Sequence, residues 1–244
     1  MPIAFQVHRV NNIEFRNMGK LNLAGYFQYF NAITQPDSEE ILIMQVHEAI
    51  RARRAIKWYD PEHKMPEETF LKLIEHAILT PTAFNIQNWR FVRVTDLEQR
   101  KAIRAVAWDQ EQVTDASELL VLCFDTKSWQ RDPQRYWRNA PQEVQDFLVP
   151  AIDLYYRDKP QVERDEGMRS CGLVGQTIML MALELGYQSC PMDGFDYDAV
   201  AKIINLPEDH SIAFMIAIGK GTKDSWPRPG QLSLDEIVVN NRFE

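Results

Sequence analysis

Residues 118–124 read Glu-Leu-Leu-Val-Leu-Cys-Phe, and residues 213–218 read Ala-Phe-Met-Ile-Ala-Ile. Neither run alternates polar with apolar side chains, and neither is long enough for an ordinary helix. Short continuous apolar runs of this kind predict strands buried on both faces. Phe91-Val92-Arg93-Val94 predicts a further strand. Helical patterns fill the space between. Pro66, followed by Glu67 and Glu68, opens a helix to about Leu79 with the stripe Phe70, Leu71, Ile74, Ala77 and Ile78. Thr95 or Asp96 caps a helix to about Ala107, and Asp196 caps a short one from Tyr197 to Asn205. Met168 to Leu185 is apolar on nearly every face and stops at Gly186, so it predicts a central buried helix. The aromatic and charged stretch 125–167 predicts one or two helices interrupted at Pro141 and Pro150. Isolated buried strands separated by helices place a sheet under helices on both faces.

Composition bounds the function. The chain has 244 residues, 45% hydrophobic and 25% charged, with a formal charge of −8. These values exclude a disordered or low-complexity chain. No apolar run approaches the about 20 residues of a membrane helix. The acidic balance argues against a general nucleic-acid binder. Cys123, Cys171 and Cys190 form no metal or CxxC spacing, which predicts reduced thiols and a cytoplasmic setting. The first residues carry no basic stretch followed by an apolar one, the pattern of a signal peptide.

Residues 1–43 differ from the rest. Aromatic and polar residues alternate irregularly there, and Gln35-Pro36-Asp37-Ser38 reads as a break. Met44 stands directly before Gln45-Val46-His47-Glu48-Ala49-Ile50, a first helical turn. Two readings stand open: an arm that packs on a partner subunit, or an over-extended start with Met44 as the natural one. The organised domain is expected over residues 44–244.

Four segments carry candidate chemistry. Arg51-Ala52-Arg53-Arg54-Ala55-Ile56-Lys57 concentrates four cations in an acidic chain. They either face solvent at a helix end or clamp an anion, for which arginine offers a fork of donors. Pro81-Thr82-Ala83-Phe84-Asn85-Ile86-Gln87-Asn88-Trp89-Arg90-Phe91 joins a helix to a strand through a loop rich in donors, or simply closes a turn. Pro191-Met192-Asp193-Gly194-Phe195-Asp196 permits close backbone approach at Gly194, or is only a turn before a cap. Lys220 to Arg228 adds late cations, which an ordinary exit loop also explains. Nucleophile, Walker and zinc templates are missing, and the five histidines have no metal spacing. Cationic anchors and loops without an acid–base pair fit a bound cofactor that brings its own chemistry.

In this order, the four segments resemble the nitroreductase family of FMN-dependent oxidoreductases, from about Met44 to Phe243. Arg53-Arg54-Ala55-Ile56-Lys57 resembles the family's opening Arg-(Arg/His)-Ser-x-(Arg/Lys) motif. The 81–91 segment is similar to Pro-Ser-x-x-Asn-x-Gln-Pro-Trp-x-Phe. Asp109-Gln110 through Asp115-Ala116-Ser117 resembles Asn-x5-Asp-Ala-Ser, and residues 191–196 match the family's flavin-edge loop.

The resemblance implies an α+β fold, with a central mostly antiparallel sheet flanked by helices, in an intertwined homodimer with FMN at the interface. It implies FMN contacts from Arg53, Arg54, Ala55, Lys57, Pro81, Thr82, Ala83, Asn85, Gln87, Asp109, Met192, Asp193, Gly194, Lys223 and Arg228. Phe84, Trp129, Tyr136 and Trp137 are expected at the acceptor pocket. No metal is expected, and no dedicated catalytic side chain, Lys57 giving electrostatic support. NADH or NADPH would reduce FMN, and a nitroaromatic, quinone or related acceptor would reoxidise it by a ping-pong route. Reductive dehalogenation, alkene reduction and flavin storage are the alternatives. The apolar tail Ile237-Val238-Val239-Asn240 is expected to extend and pair with a partner's sheet.

Three positions depart from the family pattern. Ala55 replaces a serine and forgoes a hydroxyl bond of about 1 kcal/mol. Asn88 replaces a proline. Asp109 stands where an asparagine touches the flavin pyrimidine edge. Asp109 is turned away, Gln110 substitutes for it, or Lys57 neutralises it.

Overall fold

The computed structural model describes residues 44–243. The segment 1–43 and both readings of it lie outside these residues. Four antiparallel strands form one sheet in the order β1-β2-β4-β3: β1 Trp89–Arg93, β2 Glu118–Asp125, β3 Gln188–Met192 and β4 His210–Gly219. Every residue of β2 is buried, as its unbroken apolar run requires. Leu120, Leu122 and Phe124 point to one core, and Leu119, Val121 and Cys123 to the other. The first core holds α2 (Glu67–Ala77) and the long helix α6 (Pro160–Glu184); the second holds α3 (Leu97–Ala105), the short α4 (Gln112–Asp115) and α7 (Tyr197–Ile203). The expected helix-covered sheet is therefore present.

Local chemistry explains the element ends. Asp96 and Asp196 accept from the N–H of Gln99 and Ala199, capping α3 and α7. α6 ends in a paired C-terminal turn: Gly186 N–H donates to Leu183 O at 2.9 Å and Tyr187 N–H to Ala182 O at 2.8 Å. Gly186 takes φ +76° there, which a side chain would strain.

Four expectations change. Pro191 and Met192, expected in a loop or turn, instead close the strand β3, whose edge position lets a residue without N–H remain in a strand. α6 begins at Pro160, well before Met168. It is not buried all round: Gly172, Leu173 and Gln176 are exposed on one face, with Leu180 half-buried beside them. Pro141 caps α5 (Gln142–Tyr156), while Pro150 lies inside it without breaking it. Asp146, whose carbonyl loses its partner, is exposed along with Pro150, so water can satisfy it. Ile237, expected in an extended tail, closes a single helical turn, α8 (Leu234–Ile237). Ser233 and Glu236 cap that turn reciprocally.

Candidate functional site

α1 (Val46–Ala52) ends at Arg53, and the chain turns along the outer edge of β3. Ile56 N–H donates to Ser189 O at 3.1 Å, which fixes this path. Ile56 and Tyr59 are buried, so Arg53, Arg54 and Lys57 are held outward. Residues 225–231 fold back over them. Arg54 donates to Trp226 O, and Arg228 Nη2 donates to Arg51 O and Arg53 O at 3.1 and 3.2 Å. Together they enclose a cavity of about 560 Å³ lined by Arg53, Arg54, Ala55, Lys57, Trp58 and the 225–231 turn. No acidic side chain lines it. Such a donor set suits an anion, and a phosphate in particular. Lys223 is not part of this cradle; it sits 5.3 Å from the centre of the Trp58 ring.

Cys190 lies beneath this charge. Burial raises its thiol pKa, with Lys57 and Arg53 opposing the rise.

The 192–194 loop follows β3. Met192 is buried, Gly194 half-buried and Asp193 exposed. Tyr197 donates to Asp193 Oδ1 at 3.1 Å, and burial plus that carboxylate push the phenol pKa up to about 12. Trp108 covers Gly194 so closely that a Cβ there would lie 2.6 Å from its ring. Trp108 and Asp109 both have φ of 52°, a left-handed pair that costs energy outside glycine.

Asp109 turns away from the cradle: its carboxylate accepts from Arg104 Nε at 2.7 Å. Of the three outcomes for this departure, neutralisation comes from Arg104 and not from Lys57. Gln110 instead reaches the loop, donating to Gly194 O at 2.9 Å.

The 81–87 loop lies elsewhere on the chain. Phe84, Asn85 and Gln87 all have positive φ. Thr82 Oγ1 accepts from Gln87 N–H at 3.1 Å, and Asn85 donates to Tyr136 O at 2.9 Å. Trp137 Nε1 donates to Phe84 O at 3.1 Å. Phe84, Tyr136 and Trp137 pack against a small aromatic core beneath the loop. Pro81 and Ala83 complete the turn. Trp129 belongs to that core and not to an open pocket: it is 5% exposed, stacks on Tyr156 and donates to Glu163 at 2.7 Å. The structure thus collects the phosphate-type residues and the 192–194 loop near β3, and holds the 81–87 loop apart from the cradle lining.

Among the described residues, Asp125, Asp209 and His210 bring metal-ligand atoms together. Arg90 and Arg131 already pair with Asp125, and Arg131 with Asp209, so the group is a charge network.

An acid-free cationic cradle thus lies at the edge of a helix-covered antiparallel sheet. The nitroreductase family profile matches residues 50–220, and the chain belongs to that family. It is 46% identical over 200 residues to Protein DrgA of Synechocystis, covering 80% of this chain and 95% of that protein. Among solved structures it is similar to an Exiguobacterium sibiricum protein provisionally classed as a nitroreductase and solved in complex with FMN. That match has a TM-score of 0.76 at 27% identity, covering 82% of this chain and 98% of the other. The Bacillus subtilis protein ydfN matches with a TM-score of 0.74 at 27% identity, covering 80% and 97%.

Proposed function

We propose that the protein is an FMN-dependent oxidoreductase that uses NADH or NADPH to reduce nitroaromatic, quinone or related electron-poor acceptors. The acid-free cradle of Arg53, Arg54, Lys57 and Arg228 carries this reading. Its volume and charge fit the phosphate end of a mononucleotide. When bound, FMN supplies hydride acceptance from NAD(P)H and its delivery to the acceptor in two separate half-reactions. Arg53, Arg54 and Arg228 grip the phosphate. Lys57 supplies positive charge against the negative charge gained on reduction, an electrostatic role. The backbone N–H groups of Asp193 and Gly194 orient the ring edge.

The reading includes a homodimer with FMN at the subunit interface. Three observations support it. The outward face of α6 carries Leu173 at 51% exposure, and α1 exposes Val46 and Ile50. Residues 232–243 expose Leu232, Leu234, Ile237, Val238, Val239 and Phe243. No residue of the 81–87 loop lines the cradle of its own chain, which leaves the loop to serve the partner's cradle. Pro81, Thr82, Ala83, Asn85 and Gln87 would contact FMN from there, and Phe84, Tyr136 and Trp137 would border the acceptor. Lys223 keeps only an indirect part, through Trp58. A cytoplasmic setting accords with three buried free cysteines.

The visible absorbance spectrum of the purified protein tests the reading, followed by NAD(P)H oxidation with a nitroaromatic or quinone. A yellow protein that turns over stoichiometrically is expected. A colourless protein that FMN cannot reconstitute overturns it, and flavin bleaching without acceptor turnover reduces it to flavin binding.

A further inference from the structure

Gln110 is joined on both sides. Gln112, 3% exposed, donates through Nε2 to Gln110 Oε1 at 2.9 Å. Gln110 Nε2 donates in turn to Gly194 O at 2.9 Å and to Ala107 O at 3.1 Å. The carbonyl of Gly194 shares its peptide group with the N–H of Phe195. That N–H donates to Asp193 O at 3.0 Å. The Asp193 carbonyl, finally, shares its peptide group with the N–H of Gly194. Among the described residues no protein acceptor takes this last N–H.

The bonds therefore form one directed chain. It runs from the Gln112 amide through the Gln110 amide and two peptide groups to the Gly194 N–H. Each carbonyl along it accepts, and each acceptance draws charge from the N–H of the same amide. Chains of this kind strengthen their members cooperatively. The start of the chain is anchored. Gln112 is buried, and the strained Trp108–Asp109 turn that presents Gln110 is tied down by Arg104, which also donates to Thr114 Oγ1 at 3.0 Å. Strain of this kind persists only where surrounding contacts hold it.

We propose that Gln110 and Gln112 are positioning residues: they aim and polarise the Gly194 N–H as a donor to the edge of the bound flavin. This inference rests on the flavin reading above and adds to it the control of that site's donor. Asp109, on this account, serves the flavin only by pinning the turn. The two glutamines touch neither cofactor nor substrate, so their effect appears in how the bound flavin behaves and not in how tightly its phosphate is held.

The test uses the FMN-loaded protein and the variants Gln110→Leu, Gln112→Leu and Gln110→Glu. Three quantities are read: FMN dissociation constant, flavin midpoint potential, and flavin reduction rate in stopped flow. Both leucine variants are expected to slow reduction about tenfold and to shift the potential in one common direction, with FMN affinity within about threefold. Gln110→Glu keeps the side chain's shape and covers the case in which a leucine variant fails to fold. Its carboxylate opposes Gly194 O, whereas its protonated form donates to it. Its potential and rate are therefore expected to return towards wild type as pH falls through the glutamate pKa, about 4.3 or above. Wild-type rates and potentials in all folded variants, or a Gln110→Glu profile parallel to wild type at every pH, overturn the relay and leave the flavin reading standing. A wild-type protein that takes up no FMN overturns both.

Discussion

Arg228 Nη2 donates to the carbonyls of Arg51 and Arg53, residues that end α1 far away in the sequence. One side chain thus satisfies helix-end carbonyls and closes the cradle over the cations beneath. Lysine, with a compact ammonium, cannot reproduce a planar fork that bridges carbonyls and still faces an anion. Arg228→Lys is expected to weaken FMN binding about tenfold and riboflavin binding much less, since riboflavin lacks the phosphate. Fluorescence titration of the apoprotein with both ligands checks it. Equal losses would assign Arg228 to tail folding alone.

Lys57 is exposed at the rim of the same cavity. Lys57→Ala is expected to slow flavin reduction by about tenfold, a fraction of what a buried oxyanion donor contributes. The concentration dependence of the stopped-flow rate separates this from binding: NAD(P)H affinity should change less than the limiting rate. An unchanged limiting rate would remove the electrostatic role.

If the 81–87 loop of one subunit serves the cradle of the other, defects in the two halves complement. Arg53→Ala and Gln87→Ala proteins, each weak alone, are expected to recover about a quarter of wild-type activity after denaturation and refolding together. Half of the dimers are then mixed, and one of two sites in each is intact. Activity that stays at the mean of the parents would place the whole site in one chain.

The three cysteines give a prediction independent of the cofactor. All are buried, and burial pushes the thiols of Cys123 and Cys171 up to about 12. An aromatic disulfide reagent at neutral pH should find almost no thiol in the native protein and all three after unfolding. The linkage has a sign. A folded pKa above the ordinary 9.0 contributes stability that is full below that value and is lost as pH rises towards about 12. Thermal midpoints should therefore fall in the alkaline range. Cys123→Ser should respond differently there, since a hydroxyl does not titrate in that range. A native protein that reacts fully with the reagent contradicts the buried placement.

Much of this architecture is legible in short patterns. Glu118–Phe124 and Ala213–Ile218 announce buried strands because both sheet faces are covered, leaving no polar alternation. Asp96, Asp196 and Gly186 announce helix ends because each supplies a backbone need that few residues meet. β3 is hidden for a physical reason: Pro191 disqualifies a central strand, and only tertiary position shows that it sits at an edge. Pro150 misleads similarly, since its cost depends on whether water reaches one carbonyl. In the site, Arg53, Arg54 and Lys57 stand out as cations in an acidic chain. Gln110 and Gln112 do not, because neutral amides carry no charge signal and their partner, Gly194, is remote in sequence. Asp109 could not be resolved from spacing alone, since its partner Arg104 lies on the preceding helix and competes with Lys57 only in three dimensions.

The two walls of the cradle, residues 53–58 and 225–231, come from opposite ends of the described chain. A growing polypeptide can complete the sheet once residue 219 has emerged from the ribosome, since β4 ends there. It still lacks one wall of the cradle. On the flavin reading, cofactor loading is deferred until synthesis has passed residue 231. A message cut between those two points would yield a chain with all four strands and only one wall of the cradle.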